Sequence, residues 1–269
     1  MAHNLDEIFK DVMASAWDQD GCKYPYDSSF GATPGIEDKN IDNDCNRTAV
    51  YALFLLKDEK LPNDIMPWLK IAEDSYNEKG TPVFYFAKEH GIPFEVLDRK
   101  FHEILSVEKM IPETHHALYM EQSVNLGHKT ALVTHSHPVL VKRSIPQLGL
   151  SNVYNTETNV FTLSQFGPEH RKHRSPEMFL HSIKTMDIDP SNAIVVEDTS
   201  ENLEPVKETE ADVITVLVDR DGRYKSKPDH INVVVKNATE ISQSLVRVTA
   251  QRDKSDYGVR PAYFRVLGK

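Results

Sequence analysis

The sequence predicts an α/β protein whose parallel sheet is covered by helices on both faces. From about residue 128 onward, short and continuously apolar segments alternate with helical patterns, as expected for strands that are buried on both sides. Before that point, residues 25–107 read as mostly helical, and they follow a first apolar segment that ends at Trp17. We therefore predict a Rossmann-like core with an all-helical cap inserted after its first strand.

The strands are predicted from runs of apolar residues without the polar alternation of a half-exposed strand. The first, VMASAW, ends at Trp17, and the others are residues 129–134, 193–196, 213–218 and 231–235. The predicted domains are a core of residues 1–24 and 108–245, a cap of residues 25–107, and a basic C-terminal tail of residues 246–269.

Helix signals lie between these strands. Thr81-Pro82 precedes the segment VFYFAKEH and Gly91 follows it, an order typical of an N-cap, a proline in the first turn and a glycine past the end. In the core, Ser175-Pro176 and Ser200 are predicted to begin two further helices. The helix that follows Gly91 carries its apolar residues on one face, namely Phe94, Leu97, Phe101, Ile104 and Leu105.

Composition excludes several classes of protein. The chain has 269 residues, with 31 Lys and Arg against 41 Asp and Glu, and this net charge of −10 argues against a general binder of nucleic acids or membranes. The two cysteines, Cys22 and Cys45, are too few for a disulfide scaffold and favour a reducing, cytoplasmic setting. The longest apolar run, residues 49–56, is far shorter than the roughly 20 residues of a membrane span.

Polar residues directly follow three of the predicted strands. Asp18-Gln19-Asp20-Gly21 follows the first strand, Thr134-His135-Ser136 follows the second, and Glu197-Asp198 follows residues 193–196. Because the carboxyl ends of parallel strands meet at one edge of a sheet, these side chains are expected to converge. Carboxylates and a hydroxyl suit Mg²⁺ and phosphoryl chemistry.

These residues resemble, in order, the four motifs of the haloacid dehalogenase (HAD) superfamily. The strongest match is residues 195–208, VVEDTSENLEPVKE, supported over residues 175–198, and the similarity covers roughly residues 16–218. The resemblance implies that Asp18 is a nucleophile that forms an aspartyl-phosphate, and that Asp20 is the acid and base. It further implies that Thr134 is a catalytic residue that holds the phosphoryl group. Substrate binding is then expected from Gly21, His135 and Ser136, and Mg²⁺ binding from Asp18, Asp20, Glu197 and Asp198.

The resemblance also implies a cation beside the nucleophile. Lys172 is the predicted residue, although strict register from Pro176 places His173 at that position. Lys172 is preferred because a fixed cation is more reliable near neutral pH than histidine. Cys22 stands where the family usually has threonine.

The DxD pair favours phosphate esters over halides, because an alkoxide leaving group needs a proton and a halide does not. In this superfamily an insertion after the first strand is a C1-type helical cap, which implies a small-molecule phosphate ester as partner. Tyr24-Pro25-x-Asp27-Ser28 resembles a stretch of pyrimidine 5′-nucleotidases. Three aromatic residues of the predicted cap are candidates for stacking on a base, with packing in the core of the cap as the alternative, namely Tyr26, Tyr85 and Phe86.

The predicted function is thus Mg²⁺-dependent hydrolysis of a phosphomonoester, with a nucleoside 5′-monophosphate as the preferred substrate. The alternatives are a sugar-phosphate phosphatase, a phosphomutase, or a non-catalytic binding protein on the same scaffold. A further alternative, a nucleic-acid end phosphatase, would use the basic tail, where residues 245–269 hold six basic and two acidic residues.

Overall fold

Six parallel strands form the sheet of the computed structural model, which describes residues 4–19, 22, 44–107, 110–113 and 115–257. The spatial order is β3-β2-β1-β4-β5-β6, and the pairing of neighbours is parallel throughout. The predicted α/β fold is thereby confirmed. The strands are β1 Ala14–Trp17, β2 Lys129–Thr134, β3 Val160–Thr162, β4 Ala193–Glu197, β5 Ile214–Val218 and β6 Val233–Val235.

Helices cover both faces of this sheet, as the continuous apolar strands predict. Alternate residues of each strand point to opposite faces, so Trp17 packs on one side while Ala16 packs on the other. The core helices are α1 Leu5–Ile8, α6 His116–Asn125, α7 Pro138–Gln147, α8 Leu163–Phe166, α9 Glu177–Thr185, α10 Glu204–Thr209 and α11 Ala238–Tyr257.

Of the five described helices between β1 and β2, the first four lie within residues 25–107, the range of the predicted insert. They are α2 Asp44–Leu56, α3 Met66–Lys79, α4 Phe84–Glu89 and α5 Phe94–Ile104. Each contributes at least one buried apolar side chain to a shared core, namely Leu53, Leu69, Phe86 and Leu97.

Two predicted helix starts have different outcomes. Thr81-Pro82 does not begin α4, since the helix starts at Phe84 and the Thr81 carbonyl instead accepts a hydrogen bond from Ser75 Oγ at 2.7 Å. Ser175 lies one residue before the N-cap of α9, Pro176, and its Oγ accepts from the N–H of Glu177 at 3.2 Å.

The C-terminal helix α11 continues beyond residue 246, where the predicted tail begins, and it packs against α6 and α1. Ser244 and Arg247 both bind the Asp6 carboxylate, at 2.6 and 2.7 Å. The boundary at residue 246 therefore falls inside a docked helix. Among the helices of the described ranges, none is both long and apolar enough to cross a membrane.

Candidate active site

Asp18 lies directly after the central strand β1 and is fixed by the sheet. Its N–H donates to the Val196 carbonyl at 2.9 Å, which continues the pairing of β1 with β4 past the end of the strand. The residue is only 3% exposed. A carboxylate in such a place needs positive charge nearby, since burying an unpaired ion is costly.

Lys172 supplies that charge. Its Nζ forms ion pairs with Asp18 Oδ1 and, at 2.5 Å, with Glu197 Oε1. Burial alone would lower the pKa of Lys172, but the two carboxylates raise it above its usual value. The lysine is therefore a fixed cation at neutral pH, wedged between two acidic side chains.

The backbone of Lys172 is held as well, because its N–H donates to His135 Nε2 at 3.0 Å. Burial, together with the nearby positive charge of Lys172, lowers the pKa of His135 well below its usual value. His135 is thus neutral and able to accept this bond. His173, the alternative cation, is exposed and accepts from Arg174 Nε at 3.1 Å instead.

Glu197 holds the lysine and its loop rather than joining the acidic cluster with Asp18. Its Oε1 accepts from Lys172 and from Asn202 Nδ2 at 2.6 Å, and its Oε2 accepts from the N–H of Thr199 at 2.9 Å. With both oxygens engaged and no exposure, Glu197 positions Lys172. The arrangement differs from its predicted place among the metal ligands.

Asp198 does converge with Asp18, and Cys22 completes the cluster. One potential ligand atom from each of the three residues lies within 4.8 Å of the others. Burial and the neighbouring Glu197 raise the pKa of Asp198 to about 7. Burial and the adjacent carboxylates also raise the pKa of the Cys22 thiol, which leaves it neutral.

This donor set fits a hard divalent cation such as Mg²⁺. Asp18 and Asp198 offer the carboxylate oxygens that Mg²⁺ prefers. The pKa of Asp198 is raised first by burial and then by the negative charge of Glu197, and a cation bound beside it would oppose both effects. A neutral thiol is a poor ligand for Mg²⁺, so Cys22 is a neighbour of this site. The predicted residues Asp20 and Gly21 lie outside the described ranges, as does Tyr24-Pro25-x-Asp27-Ser28 with Tyr26.

Thr134 and Ser136 lie at the neighbouring strand end, as predicted. Thr134 ends β2 and is fully buried, and its Oγ1 accepts from the N–H of Ser136 at 3.0 Å. Because that hydroxyl accepts from the backbone, its own proton is available for a second hydrogen bond. His135 and Ser136 line the same cavity as Asp18.

A cavity of about 640 Å³ lies between the inserted helices and the carboxyl edge of the sheet. Asp18, Lys172 and Asp198 lie on the core side of this cavity. The side of the cavity formed by the inserted helices, which we call the cap side, is lined partly by aromatic and partly by charged side chains. Its lining includes Tyr76, Phe94, Glu95, Asp98, Phe101 and His102.

Two aromatic residues that the sequence suggested for base stacking have other contacts. Phe86 is fully buried in the core of the insert, with its ring centroid 6.0 Å from that of Trp68. The Tyr85 hydroxyl donates to the Glu78 carboxylate. The prediction that Phe86 stacks on a base is therefore wrong, because its ring is buried in the hydrophobic core of the insert.

Several polar residues of the cavity escaped the sequence analysis. Asp98 and His102 lie one turn apart on α5 and are both 7% exposed, on the side of the helix that the apolar pattern assigns to the core. Arg171, which precedes Lys172 directly in the sequence, was not singled out either. A polar pair on an apolar helix face was the available signal. Arg220 and Arg223 complete the positively charged part of the lining.

No protein-family model matches the chain, and no curated protein matches it in sequence. Solved structures do match. An HAD phosphatase from Thermococcus onnurineus is 16% identical with a TM-score of 0.57, over 87% of this chain and 98% of that one. An HAD hydrolase of family IA, variant 3, from Entamoeba histolytica is 13% identical with a TM-score of 0.54, over 88% and 99%.

CbbY from Rhodobacter sphaeroides, solved in complex with phosphate, is 12% identical with a TM-score of 0.54, over 86% of this chain and 96% of that one. At such identities the likeness concerns the fold. The chain thus has the fold of HAD hydrolases, with an inserted helical unit over the carboxyl edge of its sheet.

Proposed function

We propose that this protein is a phosphomonoester hydrolase that acts through an aspartyl-phosphate on Asp18 and depends on Mg²⁺. One observation carries the proposal. A buried carboxylate at the end of the central strand is ion-paired to a buried lysine, lies next to a second carboxylate, and opens into a cavity closed by helices. The sequence motifs include the same three residues, Asp18, Lys172 and Asp198, and this agreement supports the proposal.

The proposed reaction has two steps. In the first, a carboxylate oxygen of Asp18 forms a bond to phosphorus while the ester bond to the leaving oxygen breaks. The predicted acid Asp20 gives that oxygen its proton, and Lys172 offsets the negative charge on the phosphoryl group. In the second step Asp20 takes a proton from water, which attacks phosphorus and releases Asp18.

Asp18 and Asp198 would hold the metal ion, together with Asp20 as a further predicted ligand. When bound, Mg²⁺ supplies positive charge next to the phosphoryl oxygens. Among the described residues, two cations lie against three acidic groups in the site. Lys172 pairs with Asp18 and Glu197, and Arg223 pairs with Asp198 at 3.3 Å. The acidic groups thus outnumber the cations by one, a difference that a bound metal ion would offset.

A nucleoside 5′-monophosphate is the proposed substrate. The inserted helices act as a C1-type cap, and residues 25–107 are its proposed extent. A volume of about 640 Å³ suits a small molecule, and the exposed Tyr76 and the partly buried Phe94 offer apolar surface for a base. Cys22 and Cys45 are both free thiols, which supports the proposed cytoplasmic setting.

The test measures inorganic phosphate released from a panel of nucleoside monophosphates, sugar phosphates and an aryl phosphate. We expect release with Mg²⁺, loss of release with a chelator, and loss in Asp18→Asn by a factor of at least about 10³. Asp212→Asn is the matched control, because Asp212 is exposed and precedes the opposite end of β5.

Wild-type turnover in Asp18→Asn would contradict the aspartyl-phosphate. A folded protein that moves phosphate within a sugar phosphate without releasing it would instead be a phosphomutase. Binding of phosphate esters without any turnover would indicate a non-catalytic protein.

A further inference from the structure

Arg171 is a buried cation without a hydrogen-bond partner. The residue is 3% exposed and lines the cavity, yet its guanidinium donates to no other residue in the described part of the chain. Buried charged groups are normally paired, because each unmade hydrogen bond to such a group costs free energy. An unpaired guanidinium in a cavity wall therefore indicates a missing acceptor.

The guanidinium reaches from the core to the cap. Its Nη1 lies so close to Gly80, at the end of α3, that a Cβ at that position would overlap it. Gly80 has a φ of +64°, which favours glycine in any case. This close approach places the guanidinium where the core meets the inserted helices, and the leaving group of a substrate would lie there.

Asp98 of α5 lines the same cavity and is 7% exposed. Its Oδ1 lies 3.5 Å from His102 Nδ1, and burial raises the pKa of this carboxyl to about 7. Arg171 and Asp98 influence each other through their charges but form no direct ion pair within the described structure. The cavity thus presents a donor and an acceptor that do not satisfy each other.

The balance of charge selects the chemistry of the ligand. A second anionic group would pair with Arg171 but would meet the carboxylates of Asp98 and Glu95, whereas a cationic group would meet Arg171 and Lys172. A hydroxyl group satisfies both partners, because it donates through its proton and accepts through its oxygen. Phe94 and Phe101 line the cavity nearby and offer apolar faces to the C–H surface of a ring.

We propose that Arg171 and Asp98 form a subsite for the hydroxyl groups of a sugar-like leaving group, with a hydroxyl donating to Asp98 and accepting from Arg171. This inference rests on the proposed function and names the part of the substrate that the cap side of the cavity recognises. The hydroxyls come either from the ribose of a nucleotide or from a free sugar phosphate.

The experiment compares kcat/KM for substrates that differ only in hydroxyl groups. One arm uses uridine 5′-monophosphate and its 2′,3′-dideoxy analogue, and the other uses ribose 5-phosphate and 2-deoxyribose 5-phosphate. We expect the wild-type protein to prefer the hydroxylated member of at least one pair by about 10- to 100-fold, as for hydrogen bonds to charged groups. The pair that shows the preference identifies the source of the sugar.

Arg171→Met and Asp98→Asn should each reduce that preference to within about threefold of unity. Arg174→Met is the matched control, because Arg174 is exposed and its Nη2 donates to the Glu78 carbonyl. It should keep the wild-type preference. Circular dichroism checks that each variant is folded, and Asp98→Asn, which keeps its shape, carries the test if Arg171→Met does not fold.

Calorimetric binding of uridine, dideoxyuridine, ribose and deoxyribose separates this inference from the proposed function. Binding that requires the hydroxyls and is lost in Asp98→Asn supports the subsite even where no ester is hydrolysed. Equal treatment of hydroxylated and deoxygenated compounds by the wild-type protein, in turnover and in binding, overturns it. So does a preference that both variants retain.

Discussion

Because Lys172 is buried between two carboxylates, its loss is predicted to destabilise the folded protein. Lys172→Met removes the charge that Asp18 and Glu197 share, and these residues are 3% and 0% exposed. Breaking a buried pair from one side leaves uncompensated buried charge, which costs about 3–5 kcal/mol. We expect Lys172→Met to lower the free energy of unfolding by that amount at pH 8 in the presence of a chelator.

Urea denaturation followed by circular dichroism measures this loss. Lys184→Met, an exposed lysine on α9, is the matched control and should change stability by less than about 0.5 kcal/mol. Adding Asp18→Asn to Lys172→Met should restore part of the loss, because one of the two stranded charges is then gone. The coupling between the two substitutions should exceed about 1 kcal/mol.

A Lys172→Met protein as stable as the wild type would refute the reasoning, as would strictly additive effects in the double variant. Either result would mean that the lysine does not neutralise Asp18 in the folded protein.

Two further predictions concern the wall of the cavity. Asp98→Asn should be more stable than the wild type at pH 8 by up to about 4 kcal/mol, with a gain that vanishes as the pH falls to about 4. The reason is that burial raises the pKa of Asp98 from 3.8 to about 7, so ionisation above that range destabilises only the folded protein. Thermal unfolding between pH 4 and 8 measures this gain, and a constant difference would contradict it. Gly80→Ala should cost more stability than Gly91→Ala in urea denaturation, since both glycines have a φ of +64° but only Gly80 lies against Arg171. The conformation alone accounts for about 1–2 kcal/mol, and equal losses would show that the contact with Arg171 is not made.

Much of the core could be predicted because its strands are buried on both faces. The strand at residues 129–134 has the predicted bounds, since the polar residues on either side of its apolar run mark where a buried strand can begin and end. β3 escaped prediction because its three residues, Val160–Thr162, are too few to show any pattern. The predicted start of α4 was wrong, because Ser75, six residues earlier in the chain, donates a hydrogen bond to the Thr81 carbonyl.

The sequence was sufficient to predict several residues that gather at the site, but not all of the contacts that they make with one another. Asp18 and Lys172 were expected to pair, and the structure brings them together. Glu197 and Asp198 are adjacent in the sequence, yet one binds Lys172 and the other approaches Asp18, and only the fold decides this division. Arg171 lies next to Lys172, but its guanidinium lies against Gly80, which stands 91 residues earlier and which the sequence gives no reason to connect with it.

The position of β1 at the centre of the sheet has a consequence for the order in which the chain can fold. Ser15 of β1 pairs with Thr130 of β2, which lies 115 residues later, and the other edge of β1 pairs with β4, which lies later still. β1, which ends directly before Asp18, is therefore synthesised well before both of its neighbours, while α2–α5 can form local contacts first. Pairing over such separations is slow, because the entropy cost of closing a long loop must be met before any contact can offset it. During synthesis, both edges of β1 stay unpaired until β2 and β4 have been made. Because β1 has only four residues, it offers other chains few backbone groups for mispairing.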